Sequence, residues 1–285
     1  MKRIRKKRIL AGGIVLSLIA VWLWWGNTAI QVSQIELRSE KISIGLDGFK
    51  IVQVADLHND EFGKNQETLL NAIRQAAPDI IAVTGDLIDS THTNVARAME
   101  FIKGAVAIAP VYFVTGNHEA WSSQYPKLKE QMLLAGVKIL EDEAVPLKKD
   151  GAVLNLIGIN DLEVPKDAGY EGADRATRVD ILLKDLVGAN TEFTLLLSHR
   201  PELFDVYAAN KIDLVLSGHA HGGQIRLPLL GGLVAPDQGF FPKYADGQYS
   251  EQGTHMIVSR GLGNSIIPLR VNNPPNLVVI TLKRK

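Results

Sequence analysis

Six apolar runs in this chain each end in a polar cluster, and that repetition constrains the fold more than any other feature. The runs are "FKIVQVAD" (49–56), "DIIAVTGD" (79–86), "VYFVTGN" (111–117), "AVLNLIGIN" (152–160), "FTLLLSH" (193–199) and "IDLVLSGH" (212–219). Each is β-branched or leucine-rich and apolar on both faces, the pattern of strands covered on both sides. Helical periodicity fills gaps between them, over 66–76, 94–108, 125–134 and 175–186. This alternation predicts an α/β fold. Beyond Gly218 the helices stop, and a Gly/Pro-rich segment leads to two late strands, "HMIVSR" (255–260) and "NLVVITL" (276–282). Ligands in open α/β sheets gather at the carboxyl ends of strands. The polar clusters are therefore expected along one edge.

Asp56, His58, Asp86, Asn117, His118, His199, His219 and His221 stand at those ends, and they include five of the seven histidines in the chain. Scattered surface histidines would show no such bias. The chain has no cysteine, so a metal site must use imidazole, carboxylate or amide, a set that suits Mn, Fe or Zn. Asp56 with His58, and His219 with His221, are two apart. In an extended strand such pairs share a face, which predicts two facing pincers with Asp86 between them. Paired metals clamp the attacking and leaving oxygens of a phosphoryl transfer and lower the pKa of a bound water. Turns and helix caps use the same residue types at strand ends.

The order "DLH", "GDLID", "GNHE", "SH", "GHAH" resembles the signature of the calcineurin-like metallophosphoesterases, over roughly Lys50 to the C-terminus. With the N-terminal apolar segment, "GHAHGGQ" and "SRGLGNS…PLR…NPP", the chain looks like a membrane-anchored bacterial phosphodiesterase branch of that family. The resemblance implies a four-layer αββα sandwich and a dinuclear centre of two divalent ions (Mn, Fe or Zn, with Mn favoured). It also implies hydrolysis of phosphodiesters or phosphomonoesters by a metal-bound hydroxide. Carried over by position, Asp56, His58 and His221 hold one ion; Asn117, His199 and His219 hold the other; Asp86 bridges. His118 stabilises the transition state or protonates the leaving oxygen, and an ordinary pKa of about 6.5 permits either role. Asp161, Arg226 and Arg260, with Arg270, are candidates for substrate contact. Asp89 is expected to orient a metal-bound imidazole or to cap a helix. His92 and His255 fall outside the motifs.

The N-terminus sets the expected location. Lys2, Arg3, Arg5, Lys6, Lys7 and Arg8 precede an uncharged stretch, Ile9 to Gly26, that ends in Trp22, Trp24 and Trp25. Its length is close to the roughly 17–25 residues that span a bilayer, and terminal tryptophans suit the interface. A cleaved signal peptide wants a shorter core and a small-x-small site; "NTAI" is a poor one. The reading is therefore a basic cytoplasmic segment (1–8), an anchor (9–26), a linker and first strand (27–46) and a phosphoesterase domain (47–285). Positive residues stay in the cytoplasm, which puts the domain on the extracytoplasmic face of the cell membrane.

A net charge of zero and the lack of a basic, aromatic-rich stripe give no expectation of nucleic acid. Nothing here fixes an oligomeric state. The expected partner is a phosphoester of the cell envelope, possibly lipid-linked. The alternatives are a UDP-2,3-diacylglucosamine-type pyrophosphate hydrolase of lipid A synthesis, whose substrate is cytoplasmic, a secreted protein phosphatase, and a non-catalytic metal-binding envelope protein. The apolar stretch 225–241, "IRLPLLGGLVAPDQGFF", directly follows "HAHGGQ". It is expected beside the site, either as core cover or as an exposed apolar rim.

Overall fold

The computed structural model describes residues 2–164, 173–264 and 268–285. Helix α1 (Lys2–Thr28) leads into strands β1 (Gln31–Ser39), β2 (Lys50–Val54), β3 (Ile80–Thr84), β4 (Val111–Val114) and β5 (Lys138–Ile139). Between these strands stand α2 (Glu67–Ala76), α3 (Val95–Val106), α4 (Asn117–Trp121) and α5 (Tyr125–Leu134). There follow β6 (Glu143–Lys149), β7 (Ala152–Gly158), α6 (Arg175–Val187), β8 (Phe193–Leu197), α7 (Phe204–Ala209) and β9 (Leu214–Ser217). Two small hairpins come next: β10 (Arg226–Leu227) with β11 (Gly231–Gly232), and β12 (Val234–Ala235) with β13 (Gly239–Phe240). The chain closes with β14 (Gly247–Glu251), β15 (Thr254–Val258) and β16 (Asn276–Arg284).

The long strands form two six-stranded sheets, in the orders β1-β16-β2-β3-β4-β5 and β14-β15-β9-β8-β7-β6. Period-two alternation decides what each face meets. In the first sheet Ile51, Ile80 and Ala82 point at the second sheet, where Leu195, Leu197, Leu214 and Leu216 meet them. Val52, Val54, Ile81 and Val83 point the other way, onto α2, α3 and α5. The outer face of the second sheet, with Leu196 and Val215, is covered by Val179 and Leu183 of α6 and Phe204 and Tyr207 of α7. The result is the four-layer αββα sandwich of the metallo-dependent phosphatase fold. Gln53 pins the layers through the core: its Nε2 donates to Thr84 Oγ1 at 3.1 Å and to the Ser217 carbonyl at 2.9 Å.

Each of the six apolar runs contains a strand. Strand β6 carries no apolar run: its residues alternate between exposed and half-buried at a sheet edge. Segment 27–46 holds β1. All nine residues of β1 pair in parallel with β16, from Gln31 opposite Asn276 to Ser39 opposite Arg284, so this segment belongs to the first sheet. Helix α1 runs through both the basic segment and the apolar stretch, and residues Lys6–Thr28 are long and apolar enough to cross a membrane. Its large apolar side chains, among them Leu10, Leu16 and Trp24, are exposed.

Candidate metal centre

The strands stop short of the polar residues that follow them. Strand β2 ends at Val54, β3 at Thr84 and β9 at Ser217; the chain then turns through the left-handed region. Asp56 (φ 50°), His58 (47°), Asp86 (53°), His219 (66°) and His221 (48°) all sit there, a conformation that costs a non-glycine residue energy and gathers at functional sites. The two-apart spacing therefore works through sharp turns, and the expected strand alternation is corrected on this point. Tight quarters explain the adjacent glycines. A Cβ on Gly218 would lie 2.8 Å from Asp56 Oδ2, closer than side-chain carbons pack.

These turns bring all eight strand-end residues into one buried cluster. Asp56, His58, Asp86 and His221 each offer a ligand atom within 4.8 Å of the others, and so do Asp86, His199 and His219. Asp86 belongs to both groups. Its Oδ2 lies 3.6 Å from His58 Nε2 and 3.2 Å from His199 Nε2. His58 Nε2 meets His221 Nε2 at 3.1 Å, and His199 Nε2 meets His219 Nδ1 at 3.1 Å. Asn117 Oδ1 is 3.2 Å from His199 Nε2. Two metal–nitrogen bonds of about 2.0–2.1 Å set roughly at right angles would place their nitrogens about 3 Å apart. Asp56 Oδ2 is buried and has no hydrogen-bond partner, a costly arrangement for a carboxylate that a bound cation would relieve. The donor set fits divalent ions.

Electrostatics agree with that fit. Burial pushes His58 down to about 3 and holds His221 well below its ordinary value, so both rings are neutral and offer lone pairs. Burial also raises Asp56 to about 6. His199 is the exception: burial opposes its charge, but the Asp86 carboxylate overcomes this and raises the ring to about 10. The same carboxylate field that keeps a proton there favours any cation. His199 Nδ1 donates to the Thr84 carbonyl at 2.9 Å, and this turns Nε2 toward the cluster.

A surrounding ring of residues fixes the cluster. Glu119 accepts from the backbone N–H groups of Gly116 (2.7 Å), Asp86 (2.8 Å) and Ile88 (3.2 Å), joining the turns after β3 and β4. Burial, then Asp86, push its carboxyl up to about 8 against those three donors. Asp237 Oδ2 accepts from His219 Nε2 at 3.1 Å and from Arg200 Nη1 at 2.6 Å. Neither residue received a role from the sequence. Glu119 stood inside the quoted "GNHE", and Asp237 showed itself only as an isolated charge in an apolar stretch.

His118 N donates to Asp86 Oδ1 at 2.9 Å, and its ring packs edge-on against His58 at 4.5 Å. Its Nδ1 accepts from Ser90 N at 3.0 Å, which leaves Nε2 to carry the proton of the neutral ring. Asp89 Oδ2 stands 3.7 Å from His118 Nδ1 and 4.0 Å from His58 Nδ1, while Oδ1 accepts from the N–H groups of Thr91 and His92. It orders the turn rather than capping α3, whose cap is Asn94.

The remaining candidates are engaged elsewhere. Both Asp161 oxygens take Arg200, at 2.7 and 3.0 Å. Arg226 pairs with Asp246, and Arg260 contacts Asp246 and Gln31. Arg270 is fully buried and donates to the carbonyls of Arg260 and Gly263. A cavity of about 590 Å³ opens beside the cluster, lined by His58, His118, Asp89, His92, Arg97 and Asn264 among others. Its cation is Arg97, and His92, which the motifs leave out, stands at its wall.

The calcineurin-like phosphoesterase family model matches residues 49–223. An uncharacterized metallophosphoesterase of Bacillus subtilis, YkuE, is 30% identical over 259 residues, covering 89% of this chain and 86% of that protein. Phosphodiesterase YaeI of Escherichia coli is 27% identical over 240 residues, 82% of each chain. A transmembrane protein with metallophosphoesterase domain from Danio rerio is 28% identical over 264 residues, 89% of this chain and 57% of that one. The family match spans more than half the chain and takes in every strand-end residue of the cluster, so this protein belongs to the calcineurin-like phosphoesterases.

Proposed function

We propose that this chain is a membrane-anchored, metal-dependent hydrolase of phosphodiesters or phosphomonoesters that works with two divalent ions. The observation that carries the reading is the pair of donor groups sharing Asp86, with ring nitrogens meeting at 3.1 Å on either side of it. Asp56, His58 and His221 would hold one ion, Asn117, His199 and His219 the other, and Asp86 both. When bound, such ions neutralise the phosphoryl oxygens and supply a water of lowered pKa. Every other task falls to the chain. His118 lines the cavity beside His58, and its Nε2 proton goes to the leaving oxygen. Asp89 Oδ2 stands on the opposite side of that ring, 3.7 Å from Nδ1. Glu119 keeps Asp86 and Asn117 in place, and Asp237 fixes the tautomer of His219.

Two observations support the finer reading. The relative YaeI is named a phosphodiesterase, which favours the diester. Exposed α1 and the basic residues in its first turns support a single-pass anchor with the domain on the extracytoplasmic face. That location favours an envelope or lipid-linked substrate. The test is hydrolysis of bis-p-nitrophenyl phosphate against p-nitrophenyl phosphate by the full chain in detergent, with chelator and then Mn²⁺, Zn²⁺ or Fe²⁺ added back. Metal-restored turnover, faster on the diester, is the expected result. Turnover that ignores chelation, or none with any ion, would refute the proposal.

A further inference from the structure

Four large apolar side chains of the stretch 225–241 form a rim that no described residue covers. Leu229 is fully exposed, and Leu230, Phe240 and Phe241 are 65%, 75% and 59% exposed. The two charges of the stretch are both spent inside the protein, Arg226 on Asp246 and Asp237 on Arg200, Arg175 and His219. Backbone geometry adds an independent sign. Leu230 N donates to the Leu227 carbonyl at 3.2 Å, closing a turn with Pro228 in its second position and Leu229 in its third. Leu229 has φ 69°, in a place where a turn of this kind selects glycine. Phe241, at φ 54°, is a second bulky residue held in the left-handed region. Such strain persists where the side chain serves a purpose. Burying these groups in the core would serve folding, but they point outward.

The surroundings identify what covers them. Arg226 N donates to the Val271 carbonyl at 3.0 Å, and Gln224 Nε2 donates to that of Leu269 at 3.2 Å. Arg270, between these residues, exchanges two hydrogen bonds with Asn27 at the end of α1, at 2.7 and 3.0 Å. The rim is thus stitched through residues 269–271 to the exit of the apolar helix, beside Trp24 and Trp25. Asn273 Nδ2 donates to the His221 carbonyl at 2.7 Å, so the same strip supports the metal centre. We propose that the β10–β11 turn and Phe240–Phe241 dip into the bilayer surface next to α1, holding the centre at the lipid interface. The partner is the boundary between headgroups and acyl chains, which takes apolar side chains from a polar scaffold. This inference rests on the anchoring proposed above and is independent of the reaction.

The chain contains no cysteine, so single labels are clean. Full-length Leu230→Cys and, separately, Phe240→Cys carry an environment-sensitive fluorophore in vesicles of phosphatidylglycerol and phosphatidylethanolamine. Leu134→Cys is the reference, because Leu134 is 82% exposed at the end of α5. Blue-shifted emission at 230 and 240, quenched by bromine on the lipid chains, is expected, with position 134 unquenched. Labels at 230 and 240 that match 134 would overturn the proposal. A blue shift insensitive to brominated lipid would overturn it too, since a protein partner or second copy would then be the cover. None of these readings requires turnover, so they stand apart from the test of the enzyme.

Discussion

At the scale of single residues, the proposed mechanism separates groups that hold from groups that act. His118 lies against His58 without belonging to either donor group around Asp86. His118→Ala is expected to keep bound metal while kcat and kcat/KM fall together, by roughly 10²–10⁴-fold if the ring is a general acid. Esters with very good leaving groups should lose less. Metal loss in this variant would make His118 a support instead. Asp237 faces His219, and its carboxylate is placed to accept from Nε2 at 3.1 Å. Removing such a partner weakens metal binding by about 10–100-fold. Asp237→Ala is therefore expected to need more metal for half-maximal activity, with Asp237→Asn, which keeps an acceptor, falling between. Identical metal dependence in all three proteins would rule out this role.

At the scale of elements, the cluster depends on short turns after strands, and the link between two of them is Glu119. Glu119→Ala would leave three buried N–H groups without an acceptor, at about 1–3 kcal/mol each. The expected loss in urea unfolding is about 3 kcal/mol or more, with Glu119→Gln in between; an unchanged midpoint would show the link is dispensable. This level also shows what the sequence made legible. The central strands were readable because they are apolar on both faces, and their ends were readable because polar clusters interrupt them. Edge strand β6 was not, since half its residues face solvent. The first strand within 27–46 is legible from its alternation, but its pairing is not, because its partner, β16, lies at the far end of the chain. The eight strand-end residues were legible from type and order, but the left-handed turns that aim them were not. Asp161 shows the opposite limit: it sits at a strand end, yet Arg200 occupies both its oxygens, and no local pattern records a partner 39 residues away.

At the scale of the whole molecule, α1 exits directly into the edge strand of the sandwich, and Asn27 at its end is hydrogen-bonded to Arg270 of the domain. If Lys2–Arg8 stay in the cytoplasm, as proposed, a C-terminal alkaline phosphatase fusion is expected to be active. A fluorescent protein that folds only in the cytoplasm should be dark at the same position. The reverse pattern would place the domain inside and favour the cytoplasmic nucleotide–lipid substrate. The proposed two-ion chemistry rests on Asp86 serving both ions at once, because among the described residues it alone joins both donor groups. The most direct measurement is metal content per chain, by mass spectrometry, in the full-length protein and in Asp86→Asn, alongside turnover of bis-p-nitrophenyl phosphate. Two ions in the parent, with a loss of metal and a fall in rate by orders of magnitude in the variant, is the expected result; an Asp86→Asn protein that keeps two ions and near-normal turnover would contradict it.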